Sequence, residues 1–120
     1  MKRLAIALVL FTACQRETPA PSTPSASGNA ERGRLLAAQY GCNVCHAIPG
    51  VDGPQGSLGP SLAGIATRPT ISTAAVPNTP ANLEQFIENP ASLNPQSSMP
   101  PLALQGNDAA DIVAYLQTLR

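Results

Sequence analysis

Apolar residues recur at helical spacing in three short stretches of this 120-residue chain, and nowhere do they alternate convincingly as a strand requires. Ala30–Tyr40 sets Gly33, Leu36, Ala37 and Tyr40 along one stripe, with Asn29 ahead as an N-cap and Gly41 behind as a stop. Pro80–Glu88 begins with proline at its first helical position behind the cap Thr79, and buries Leu83, Phe86 and Ile87. Asn89-Pro90 ends it. Asp108–Leu119 follows Gly106-Asn107, carries acids in its first turn, and aligns Ile112, Tyr115, Leu116 and Leu119. The pattern predicts three helices and no sheet.

Between the helices run two long stretches, about 47–78 and 90–106, rich in Pro, Gly, Ser and Asn. Loops of that length are uncommon in a compact domain unless they enclose something functional. The segment expected to fold, residues 30–120, holds only three aromatics (Tyr40, Phe86, Tyr115) and no tryptophan. A domain so short of core usually needs a disulfide, a metal or a cofactor.

Residues 1–13 read as an export signal: basic Lys2 and Arg3, the apolar run Leu4–Phe11, then small Thr12-Ala13. From Leu4 to Ala13 a helix reaches only about 15 Å, half a bilayer core, which argues against a permanent transmembrane span. Cys14, directly behind this run, resembles the lipidated cysteine of a bacterial lipoprotein signal; a plain secretory peptide is the simpler alternative. Residues 15–29 are Pro/Ser/Ala-rich and lack large apolar side chains, so 14–29 is expected to be a flexible tether reaching up to about 45 Å. The expected organisation is signal 1–13, tether 14–29 and domain 30–120, with the chain lipid-anchored on the periplasmic side of a bacterial membrane.

Charge narrows the partners. Loss of residues 1–13 would leave five basic and seven acidic residues, a formal net charge of −2, and no lysine. That balance argues against nucleic acid, which needs clustered Lys and Arg, and against a lysine-ringed docking face.

The chemistry concentrates at Cys42-Asn43-Val44-Cys45-His46, a Cys-x-x-Cys-His motif, the attachment signature of c-type haem. Cys42, Cys45 and His46 stand at i, i+3 and i+4, so one helical turn would present all three on one face. Two thiols could then add to the two haem vinyl groups while the imidazole reaches the iron. Other readings of the cysteines are a redox dithiol, though no βαβ pattern surrounds them; zinc, though a fourth ligand is missing; and a structural disulfide. His46 is the only histidine, and Met99 the only methionine beyond Met1. A loop methionine is often a gap-filler. Met99, however, precedes Pro100-Pro101, which stiffen the backbone and push Met99 toward an extended conformation suited to a soft axial ligand.

With these residues in view, the chain resembles class I cytochrome c over nearly all of 30–120. Gly33 and Leu36 precede the haem motif at the family's spacing, and Leu58-Gly59-Pro60-Ser61-Leu62-Ala63-Gly64 looks like its Gly-Pro-x-Leu segment. Asn94-Pro95-Gln96-Ser97-Ser98-Met99-Pro100 looks like its ligand loop and Ala114-Tyr115-Leu116 like its last helix. The resemblance implies an all-α fold, three main helices with long loops around one covalent haem c. It implies His46 and Met99 as axial ligands, the Pro60 carbonyl orienting the His46 ring, and the first and last helices crossing near Gly33 and Tyr115. Ala37 departs from the aromatic often found at its position.

Residues 59–102 are also similar to the cytochrome c domain fused to subunit II of some haem–copper oxidases, which would put Arg68 near a haem propionate; the alternative is an ordinary solvated charge. These likenesses imply a non-enzymatic electron carrier with no small-molecule substrate. Its donor would be a quinol-oxidising complex or dehydrogenase, and its acceptor a terminal oxidase or reductase. Competing readings are a haem enzyme or gas sensor with a displaceable Met99, and a fixed haem subunit of a larger complex.

Overall fold

The computed structural model describes residues 28–120. The expected export signal, Cys14 and the tether as far as Ser27 therefore lie outside the described residues. Four helices follow one another: α1 (Ala30–Gln39), the single turn α2 (Cys42–Cys45), α3 (Pro80–Glu88) and α4 (Asp108–Leu116). Short 3-10 turns lie at Ile65–Thr67 and Pro90–Ser92.

Local chemistry sets the helix ends. The Asn29 side chain accepts the Arg32 N–H at 2.9 Å, and Thr79 Oγ1 accepts that of Asn82 at 3.1 Å. Gly41, at φ 74°, turns the chain out of α1 in the left-handed conformation that glycine adopts without steric cost. Helix α4 stops three residues before the predicted Leu119. Its last turn tightens, Thr118 N–H bonding to the Tyr115 carbonyl and Leu119 N–H to that of Leu116, while the Leu119 carbonyl accepts the Ala66 N–H.

A two-stranded antiparallel pair, β1 (Thr70–Ile71) and β2 (Val76–Pro77), departs from the expectation of no sheet. Two-residue strands are too short for alternation to register. In the connecting turn, Ser72 and Ala75 take positive φ (64° and 54°) without being glycine, a conformation that costs energy for a side chain with a Cβ. Buried Asn94 fastens this turn, its Nδ2 donating to Ser72 Oγ at 2.7 Å and Thr73 Oγ1 at 3.0 Å.

Helices α1 and α4 form the main crossing. Gly33 lies so close to the Asp111 carbonyl and the Ile112 nitrogen that a Cβ there would collide with backbone. Leu36, Leu83, Ile87, Ala109, Ile112, Val113 and Leu116 form the larger core cluster, with Ile65 from the first 3-10 turn and Ile71 from β1; Phe86 sits half-buried at its edge. Ala37, Ile48, Val51 and Tyr115 form the smaller one. The small side chain of Ala37 leaves room for Tyr115, whose hydroxyl donates to the Pro49 carbonyl.

A polar clasp seals the crossing. Arg32 pairs with both Asp108 and Asp111, the Tyr40 hydroxyl donates to Asp108 Oδ2 at 2.6 Å, and the Asn29 N–H donates to Asp111 Oδ1 at 2.7 Å. Both carboxylates are buried at the α4 N-terminus, where the helix dipole also favours negative charge. The Tyr40 hydroxyl, followed by Arg32, holds the Asp108 carboxyl below its ordinary range, against the opposing effect of burial.

Candidate functional site

Helix α2 presents Cys42 and Cys45 from one turn, both half-buried and not bonded to each other. Burial raises the Cys42 thiol above its ordinary pKa. His46 is not on that turn, contrary to the i, i+4 reading. Its N–H still bonds to the Cys42 carbonyl at 3.0 Å, but its own backbone is extended (φ −116°, ψ 140°), which ends the helix. The chain leaves α2 at the residue whose ring must face the opposite loop.

That loop runs beside the motif. Gly56 N–H bonds to the Asn43 carbonyl, Gly59 N–H to that of Cys45 and Leu62 N–H to that of Ala47, at 2.8–2.9 Å. The arrangement brings the Pro60 carbonyl to 2.7 Å from His46 Nδ1. A carbonyl oxygen can only accept, so Nδ1 carries the proton and Nε2 keeps its lone pair for a ligand. The ring rests directly on Gly59, where a Cβ would fall 2.7 Å from Nδ1 and 2.9 Å from Nε2.

Arg68, half-buried, donates to the carbonyls of Ser61 (2.6 Å) and Ala63 (2.9 Å). It therefore ties down the loop that presents Pro60 rather than standing free in solvent. Met99 is half-buried against the larger core cluster, and its N–H donates to Ser97 Oγ at 3.3 Å. Leu62, Phe86 and Leu104 are further half-buried apolar side chains packed against the same cluster.

These residues suit a haem. Among the described residues, no three His, Cys, Asp or Glu side chains converge on one point, whereas zinc needs its ligands gathered about a single ion. Two thiols on one turn, an imidazole with a free Nε2, a thioether and flanking apolar side chains are the donor types a covalently attached haem takes. Cys42 and Cys45 would hold the ring, with His46 and Met99 binding its iron. The sequence did not single out Gly59 as the support of the ring, Asn94 as the fastener of the turn 72–75, or Asn43, buried with its Nδ2 on the Asp52 carbonyl. Only Gly59 left a signal, in its place beside Pro60.

A family model described as cytochrome c matches residues 30–120. No curated protein matches the chain. Among solved structures, cytochrome c2 from Paracoccus denitrificans is 23% identical, with a TM-score of 0.54 over 77% of this chain and 96% of that one. Cytochrome c2 from Rhodobacter sphaeroides is 21% identical, with a TM-score of 0.57 over 78% and 97%. Ferric cytochrome c-550 from Paracoccus versutus is 22% identical, with a TM-score of 0.55 over 78% and 98%. These likenesses establish an all-α class I cytochrome c fold.

Proposed function

Because this chain belongs to the cytochrome c family and carries one covalent haem c, we propose that it is a one-electron carrier rather than an enzyme. The bound haem supplies a single Fe(III)/Fe(II) couple. Cys42 and Cys45 would fix it to the chain, and His46 and Met99 would bind its iron. The observation that carries this reading is the His46–Pro60 hydrogen bond, which locks the tautomer and ring orientation a metal-bound imidazole needs. Met99 is the only methionine among residues 28–120, and a thioether ligand would raise the reduction potential relative to harder ligands. With His46 and Met99 both committed to the iron, the protein would leave no position on it for a substrate. Arg68 steadies the 61–63 loop and is the candidate partner of a haem propionate.

The organisation proposed around this domain is a signal at 1–13, a lipidated Cys14 and a tether at 14–29. It would hold the carrier on the periplasmic side of a membrane, where a quinol-oxidising complex or dehydrogenase reduces it. The likeness of residues 59–102 to an oxidase-fused domain favours a terminal oxidase as acceptor. The test is the ferric visible spectrum. The wild-type protein should be low-spin with the weak red charge-transfer band of thioether ligation, and Met99→Ala should lose that band. A high-spin wild-type spectrum would overturn the carrier reading in favour of a haem enzyme or sensor. In cells, Cys14→Ser should release the protein from membranes with its spectrum unchanged; retention would overturn the lipid anchor alone.

A further inference from the structure

Three large apolar side chains are exposed among the described residues: Leu35, Val44 and Leu58. Two of them lie on hydrogen-bonded neighbouring strips of chain at the redox motif. Val44 lies inside it, and Leu58 sits on the strip held alongside by the Gly56–Asn43 and Gly59–Cys45 hydrogen bonds. Leu58 is 88% exposed, two residues from the carbonyl that holds His46. Single exposed apolar residues are ordinary, but two on paired strips at the functional motif are candidates for an interaction surface.

The charges lie elsewhere. Residues 53–67, 69–83 and 89–107 contain no Asp, Glu, Lys or Arg, which leaves Asp52 and Arg68 as the only charged residues in the loops around the site. Arg68 turns its Nη2 inward to the Ser61 and Ala63 carbonyls. Glu31, Arg32, Arg34, Glu84, Glu88, Asp108 and Asp111 are all on α1, α3 and α4. Electron tunnelling falls steeply with distance, so the attachment motif, where the haem joins the chain, is the natural place for a partner to dock, and there it meets little but apolar and neutral groups. A charged patch on that partner would lose its hydration there without finding a counter-charge.

We infer that Val44, Leu58 and their uncharged surroundings form the docking face, and that it fits a redox protein presenting an apolar, uncharged face of its own. The inference rests on the electron-carrier reading. Association then depends on buried apolar area and shape rather than on steering, which predicts weak dependence on ionic strength.

A second copy of this chain offers such a face, so electron self-exchange of the full-length holoprotein is the assay, read from NMR line broadening in ferric–ferrous mixtures. The wild-type rate should change by less than about threefold between low and high salt. Leu58→Glu sets like charges against each other and should slow exchange about tenfold at low salt, with recovery as salt rises. Leu58→Ser should slow it less and leave it insensitive to salt. Leu35→Glu, on α1, should match wild type. Equal slowing by Leu35→Glu, an unaffected Leu58→Glu, or a steep wild-type salt dependence overturns the docking face. Reversible one-electron voltammetry of each variant separates this from the carrier reading, since only failure to cycle would overturn the latter.

Discussion

His46 and Pro60 meet through one hydrogen bond, Nδ1 to backbone carbonyl at 2.7 Å, and Gly59 supports the ring from beneath. The interaction uses the Pro60 main chain, not its ring. Pro60→Ala should therefore keep the wild-type spectrum, whereas Gly59→Ala drives a methyl into the imidazole. The cost of such overpacking is about 1–3 kcal/mol, with the His46 ring displaced. Visible spectra and urea midpoints of the two holoproteins check this; a Gly59→Ala protein indistinguishable from wild type would contradict it.

Asn94 joins the turn containing Ser72 and Ala75 to the loop that carries Met99. Asn94→Ala removes the fastener of a strained turn and leaves two hydroxyls without their donor. A loss of about 1–3 kcal/mol is expected from the lost hydrogen bonds. The red thioether band of the ferric protein should weaken as well, because the same residue accepts the Gln96 N–H three positions before Met99. An unchanged band in a destabilised protein would show that the fastening serves the hairpin alone.

Asp108 gives the fold an acid limit. Its carboxyl is held below its ordinary value of 3.8, first by the Tyr40 hydroxyl and then by Arg32. Because the native pKa is depressed, the stabilisation is complete above 3.8 and is lost as pH falls through the lower native value. Tyr40→Phe should be less stable than wild type at neutral pH, and the two should converge in acid. Urea unfolding across that range is the measurement, and a constant difference at every pH would remove Asp108 from the account.

The chain made without haem should not hold this fold. Tyr40, Leu62, Phe86, Met99 and Leu104 are only half-buried, and a domain of this size has few other apolar side chains to bury. Cys42→Ala/Cys45→Ala protein should lose most of its helical circular dichroism, and a native-like signal would contradict this.

What the sequence made legible was local. Helix α3 is bounded as read, because Thr79, Pro80 and Asn89-Pro90 act on their immediate neighbours. Helix α4 was read three residues too long, since Leu119 continues the apolar period through a turn that has already tightened. The β1–β2 pair left no periodic trace. The Cys42/Cys45 spacing announced the motif, but i, i+4 counting could not reveal that His46 turns extended, a consequence of the loop lying opposite. Nor could it reveal the clasp: Asp108 and Asp111 read as first-turn acids, while their partner Arg32 lies 76 and 79 residues away in the chain. Such contacts exist only once α1 and α4 have crossed.

The bond from the Asn29 backbone to Asp111 has a mechanical consequence. Any load applied through the N-terminal segment enters the domain where main chain lies on main chain and an ion pair bridges two helices. Parting the two helices there means breaking the Asn29–Asp111 hydrogen bond together with the Arg32 pairs to Asp108 and Asp111.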